Sequence, residues 1–190
     1  MNKKSLPKWS FVMVYASVAI ICIILDQLTK SFIFDQLLNK TAGNSVDVLG
    51  KFLRFYAVYN EGAAFGIGKG ANIVFFVITV VGLPVFSILL WRSRARSVCG
   101  QLGYAFIIGG TIGNAIDRGF IASTAGEFFS GKVRDFISFS FFPPVFNVAD
   151  SFLVVGVVMA ILAIVFFDYD GLVPTSKASK SEAVKPDEKN

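Results

Sequence analysis

Four aspartates of this 190-residue chain stand at or near the ends of long uncharged runs: Asp26, Asp117, Asp135 and Asp150. Ionisable groups at such places are costly to keep, so they are the first candidates for chemistry. The other acids read differently. Asp35, Asp47, Glu61 and Glu127 fall in solvated-looking loops, and Asp168, Asp170, Glu182, Asp187 and Glu188 follow the last apolar run. Local pairing divides the four. Asp26 has Lys30 four residues on, which a helix places on the same face. Asp117 adjoins Arg118, but neighbouring side chains on a helix point apart, so Asp117 needs another partner, for which Lys30 is available. Asp135 adjoins Arg134, and on a strand the two point to opposite faces. Asp150 has no base nearer than Arg134 before it and Lys177 after it. Two carboxylates in one poorly solvated cleft cannot both ionise easily, so such a pair holds one proton between them. One member can then deprotonate a water while the other protonates or hydrogen-bonds a carbonyl. That is aspartic-peptidase chemistry, and it needs no metal and no cofactor. With no His and only two Cys, the chain cannot build imidazole-based triads or His- or Cys-rich zinc centres. The same four aspartates also read as polar groups that pack helices together, and spacing alone leaves both readings open.

The elements that must position these acids are largely apolar. Hydrophobic residues make up 54% of the chain and charged ones 16%, against about a quarter in a soluble domain. Mean hydropathy is +0.65. Twenty-one Phe are too many for a core of this size unless the outer surface also meets something apolar. Four uncharged runs reach the roughly 17–25 residues that cross a bilayer: about 9–25, 70–91, 97–116 and 151–167. The reading is a polytopic membrane protein, α+β overall, with one domain over residues 1–170. Lys3, Lys4 and Lys8 precede the first run, and Arg92, Arg94 and Arg96 fill the turn between the second and third. Basic residues mark the cytoplasmic side, so both termini lie inside and segments 26–69 and 117–150 lie outside. The net charge of +5 sits at membrane edges and fits anionic lipid; nothing in it points to nucleic acid. Residues 171–190 read as a disordered cytoplasmic tail. Cys22 is preceded by Ala19, Ile20 and Ile21, too bulky for a lipoprotein cleavage site, so the first run is an uncleaved span. Cys22 and Cys99 sit at opposite ends of their spans and read as packing residues.

The outer segments hold the polar inventory. Asp26 to Lys30 continues the first helix. Val46 to Tyr59 reads as one or two strands, and Val133 to Phe142 as another that Pro143-Pro144 ends. Gly62 to Ala64 is small enough for another chain to approach. Gly109 and Gly113 form a small-xxx-small pair for close helix packing. Asn114, Asp117 and Arg118 share a helix face, and Asn147 and Asp150 stand three apart at the mouth of the last span.

Five of these segments together resemble lipoprotein signal peptidase, also called signal peptidase II. They are Asp26-Gln27-Leu28-Thr29-Lys30, Asn60-Glu61-Gly62-Ala63-Ala64-Phe65-Gly66, Gly109 to Arg118, Val133-Arg134-Asp135-Phe136 and Phe146-Asn147-Val148-Ala149-Asp150, in order around four apolar runs. The resemblance covers roughly residues 9–167. It implies four transmembrane helices with a small extracytoplasmic β-rich cradle in the bacterial cytoplasmic (inner) membrane, with the active site at the outer leaflet. It implies cleavage of diacylglyceryl-modified prolipoproteins just before the lipidated Cys, and inhibition by globomycin. It places the catalytic pair at Asp135 and Asp150. Asn60, Gly62, Ala64, Asn114, Arg118 and Asn147 become substrate-binding or supporting residues, and Asp26, Lys30 and Asp117 structural polar ones. One chain supplies all the parts, so a monomer is expected. Two departures stand out. The stretch from Arg118 to Asp135 is long, with Ile121 to Ser130 as an insertion that bears on the loop 119–132. Arg134 stands where a small apolar residue is common. Neither is expected to touch the matched acids.

Two rival readings make other predictions. A transporter or channel would carry polar residues through the depth of its spans, whereas here they gather at one face. A structural membrane subunit would tolerate Asn at all four boundary aspartates.

Overall fold

The computed structural model describes residues 8–40, 42–60, 97–120 and 131–166, with the isolated positions 77, 81 and 84. Apart from those three positions the expected span 70–91 lies outside the described residues, as do Gly62, Ala64, most of the loop 119–132 and the tail 171–190. The apolar run after Lys8 forms helix α1, Lys8–Thr29. It opens into a π-helical turn, Lys30–Phe34, before a short helix α2, Asp35–Lys40. The wider turn has a positional effect. In an α-helix, residues four apart drift by about 40° around the axis. A turn that takes one more residue cancels that drift, so Asp26, Lys30 and Phe34 all stay on the buried face. The Thr29 hydroxyl donates to the carbonyls of Leu25 and Asp26, 2.9 Å each, where the turn begins to open.

Four strands follow the same antiparallel rule: β1 (Ser45–Leu49), β2 (Leu53–Asn60), β3 (Val133–Phe139) and β4 (Phe142–Phe146), in that order across the sheet. The stretch 46–59 is therefore two strands joined at Gly50, whose φ of 53° suits the tight turn. The strand expected over Val133 to Phe142 is corrected. It stops at Phe139, turns through Ser140 and Phe141, and returns as β4, which contains Pro143 and Pro144. Prolines there do not end the sheet because β4 is its edge, where the missing N–H groups have no strand to bond. One face of the sheet packs Ala57 and Phe136 on Phe34 and Leu37, the small apolar core of the outer part.

Helices α3 (Val98–Phe120) and α4 (Val148–Phe166) complete the described fold. A Cβ built at Gly109 would lie 2.6 Å from the Cβ of Cys22, and one at Gly113 would lie 2.6 Å from Asp26 Oδ2. These two glycines let α1 approach α3 at backbone distance, as their spacing predicts. Cys22 is buried in that seam, and both cysteines are free thiols.

Along α1 and α4, large apolar side chains point out and small or polar ones point in. Along α4 the buried residues are Ala149, Gly156, Ala160 and Ala163, while Val154, Val158, Ile161, Val165 and Phe166 are exposed. Among the described residues, five of the eight largest fully buried side chains are polar or charged: Asp26, Lys30, Asp117, Asp135 and Asn147. A water-soluble fold inverts this arrangement. Among the described residues two stretches are long and apolar enough to cross a membrane, Val12–Asn39 and Val148–Phe166.

Candidate active site

The last span begins with the site. Asn147 is the N-cap of α4, and its Oδ1 accepts the backbone N–H of Asp150 at 2.9 Å. Asp150 Oδ2 in return accepts the backbone N–H of Asn147 at 3.2 Å. This is a reciprocal capping box built from Asn and Asp. It satisfies helix donors at the positive end of α4 and fixes Asp150 within the first turn.

Asp135 arrives from β3. Alternation along the strand sends Arg134 one way and Asp135 the other, as expected. Val58 of β2 lies opposite Asp135, so Asn60, two residues on, is its diagonal neighbour. Asn60 Nδ2 donates to Asp135 Oδ2 at 2.8 Å, and Asn147 Nδ2 donates to Asp135 Oδ1 at 2.6 Å. Asn147 thus grips Asp135 with its side chain and Asp150 with its backbone. Asp135 is 1% exposed. Burial, then the nearby charge of Asp150, push its pKa from 3.8 up to about 7, against the two amide hydrogen bonds.

Behind the pair lies a buried ion cluster. Lys30 Nζ reaches Asp26 Oδ2 at 2.9 Å, Asn114 Oδ1 at 2.9 Å and Asp117 Oδ2 at 3.2 Å. Asp26 Oδ1 also accepts the backbone N–H of Ala149 at 3.0 Å. Asn114 passes contact forward: its Nδ2 donates to Asp150 Oδ1 at 2.7 Å, and its Oδ1 also accepts from Asn147 Nδ2 at 3.1 Å.

Arg134 corrects the expectation that it stays clear of the matched acids. Its backbone N donates to Asp117 Oδ2 at 2.9 Å and its Nη2 to Asp117 Oδ1 at 3.0 Å. The reason is tertiary: β3 runs beside the end of α3, so a strand side chain opposite Asp135 meets Asp117. Asp117 therefore draws its charge partners from Lys30 and Arg134. Arg118 takes another direction. Its charge acts on Asp150, Asp135 and Asp117, and its Nε is buried with no hydrogen-bond partner among the described residues.

Of the residues singled out in the sequence, Asp26, Lys30, Asn60, Asn114, Asp117, Arg118, Asp135, Asn147 and Asp150 converge here. Gln27 and Arg134 were missed. Gln27 Nε2 donates to Gly113 O and Asp26 Oδ2, 3.0 Å each, and its Oε1 accepts from Arg134 Nη2 at 3.1 Å. The signal for both was their place inside matched segments: a Gln beside the first acid, and an Arg in an otherwise apolar strand.

Residues 18–166 match the family described as Signal peptidase (SPase) II. The chain is similar to the lipoprotein signal peptidase of Bifidobacterium longum subsp. infantis, at 35% identity over 94% of each chain. It is also similar to that of Staphylococcus carnosus, at 33% identity over 82% of this chain and 92% of the relative. A bacterial membrane enzyme solved by the in meso method at 2.3 Å has 29% identity and a TM-score of 0.69, over 95% of this chain and 96% of the other. A buried Asp135 beside a half-buried Asp150, at the mouth of an apolar helix, thus stands in a chain that belongs to the signal peptidase II family of membrane peptidases.

Proposed function

We propose that this chain cleaves diacylglyceryl-modified prolipoproteins just before the lipidated Cys, with Asp135 and Asp150 as the catalytic pair. The observation that carries the assignment is that these two aspartates meet through Asn147 and, among the described residues, are held by amides rather than by salt bridges. Amide donors fix a carboxylate in place without removing its capacity to move a proton. The proton of the resting pair sits on Asp135, whose pKa is raised to about 7. Asp150 takes a proton from a water, whose oxygen attacks the scissile carbonyl carbon. Asp135 gives its proton to the carbonyl oxygen. As the tetrahedral diol collapses, the proton on Asp150 passes to the leaving nitrogen, the C–N bond breaks, and one hydroxyl proton returns to Asp135.

The remaining parts fit a substrate that stays in lipid. The exposed valines and isoleucines of α4 face the acyl chains, and a lipidated Cys with its signal helix enters sideways from the outer leaflet. Four spans at about 9–25, 70–91, 97–116 and 151–167 give cytoplasmic termini in the bacterial cytoplasmic membrane. Arg118 faces the pair as a donor for a substrate carbonyl, and Gly62 and Ala64 give the substrate backbone room. The unit is one domain over 1–170, works as a monomer with lipid, and is inhibited by globomycin. The test is cleavage of a lipidated precursor peptide by the wild type and by Asp150→Asn, with and without globomycin. Wild-type cleavage that is blocked by globomycin and lost in the variant is the expected result. Near wild-type cleavage by Asp150→Asn overturns the catalytic assignment.

A further inference from the structure

Resting on that reading, we propose that Lys30 is a positioning residue that sets the polarity of the amide relay Asn114–Asn147, so that each amide aims an N–H at one member of the aspartate pair. An Asn side chain can face either way, with its oxygen or its nitrogen toward a given neighbour. An ammonium group has donors only. The Asn114 atom 2.9 Å from Lys30 Nζ is therefore the oxygen, which leaves its Nδ2 to face Asp150 at 2.7 Å. That oxygen also requires a donor from Asn147, so Asn147 Nδ2 faces Asn114 and Asp135, and Asn147 Oδ1 turns to the backbone N–H of Asp150. One cation thus orients two amides and both carboxylates. The reverse orientation would aim oxygen lone pairs at the acids.

The cluster behind the relay is arranged to leave Lys30 free for this. Asp26 and Asp117 are fully buried, and Arg134 meets Asp117 with its backbone N–H and its guanidinium. Two acids and two bases then balance, and Asn114 keeps the third donor of Lys30. Lys30 also acts at longer range. The charged groups facing Asp135 are Asp150 from α4, Arg118 from α3 and Lys30 from the π-turn. Of these, Asp150 favours its proton, and the cations Lys30 and Arg118 oppose it.

Asn114→Asp tests the polarity: it replaces the donor facing Asp150 with an acceptor that also brings a negative charge, and keeps an oxygen for Lys30. The expected result at neutral pH is a kcat loss of about 100-fold, the scale of a misplaced proton-transfer partner, with KM changed less than about threefold. The charge-neutral pair Asp26→Asn with Lys30→Gln tests the cation. It should lower kcat at least about tenfold and move the alkaline limb of the pH–rate profile upward, because one of the two positive charges opposing the Asp135 proton is gone while Arg118 remains. A merely bracing Lys30 would lower stability and leave kcat of the folded variant near wild type. Wild-type kcat in Asn114→Asp, or an unshifted limb in a folded double variant, overturns the proposal. If the double variant does not fold, Asn114→Asp alone decides it. Failure of the wild type to cleave the lipidated precursor at all would instead sink the peptidase reading of the site.

Discussion

Replacing Asp135 with Asn should abolish turnover and yet make the protein more stable at alkaline pH. In the folded chain the Asp135 pKa lies near 7 rather than 3.8, so the fold binds a proton that the unfolded chain releases. Its stabilising contribution is complete below about pH 4 and is lost as pH rises through about 7. Each pH unit of that interval is worth about 1.4 kcal/mol, so the charged carboxylate costs the fold on the order of 4 kcal/mol on the alkaline side. Asn at 135 carries no charge, but its amino group meets one of the two facing donors, Asn60 Nδ2 or Asn147 Nδ2. That mismatch costs about 1–2 kcal/mol. The net gain near pH 8.5 is then about 2 kcal/mol, or roughly 4–8 °C in melting temperature for a chain of this length. Near pH 5 the two effects roughly cancel. Melting in detergent, followed by the fluorescence of Trp9 and Trp91, measures both conditions beside the wild type. A variant that melts below the wild type by the same margin at both pH values would show that the fold does not oppose the Asp135 charge, and the resting-proton assignment would fall with it.

Three further outcomes can be checked. Gly113→Ala drives a methyl group to within 2.6 Å of Asp26 Oδ2, so the Asp26 carboxylate must leave its place in the ion cluster or α1 must shift, at a cost of about 1–3 kcal/mol in a melting experiment. Arg134→Met leaves Lys30 as the one salt-bridge partner, among the described residues, of two buried acids, and stability should drop by about 3–5 kcal/mol; Arg134→Lys should recover only part of it, because Lys lacks the planar fork. Arg54→Gln removes an exposed pair, 2.7 Å from Asp47 with both partners about half exposed, and should shift the melting point by less than the equivalent of about 1 kcal/mol.

The parts legible from the sequence were those that local geometry decides. The Asp26–Lys30 contact follows from i, i+4 spacing, the opposed directions of Arg134 and Asp135 from strand alternation, and the Asn147–Asp150 exchange from i, i+3 at a helix start. The parts that escaped depend on which elements become neighbours. Nothing local says that β3 runs past the end of α3, so the Arg134–Asp117 contact was not foreseen. Pro143 and Pro144 read as a stop because their tolerance depends on β4 being an edge, which is a fact about the whole sheet. The π-turn at Lys30 leaves no mark in residue type; it shows only as the phase correction that keeps Phe34 under the same cover as Asp26.

The Arg134–Asp117 contact has a further consequence for the stretch between α3 and β3. Gly131 N donates to Arg118 O at 3.2 Å, and Arg134 is tied to Asp117 three residues further on. The two ends of that stretch are therefore pinned together at its base, on the side away from Asp135. A chain closed in this way behaves as a loop whose ends are fixed, and doubling its length costs only about 0.6 kcal/mol. A change of length between residues 121 and 130 is thus expected to leave the two contacts at its base, and with them the carboxylates, in place.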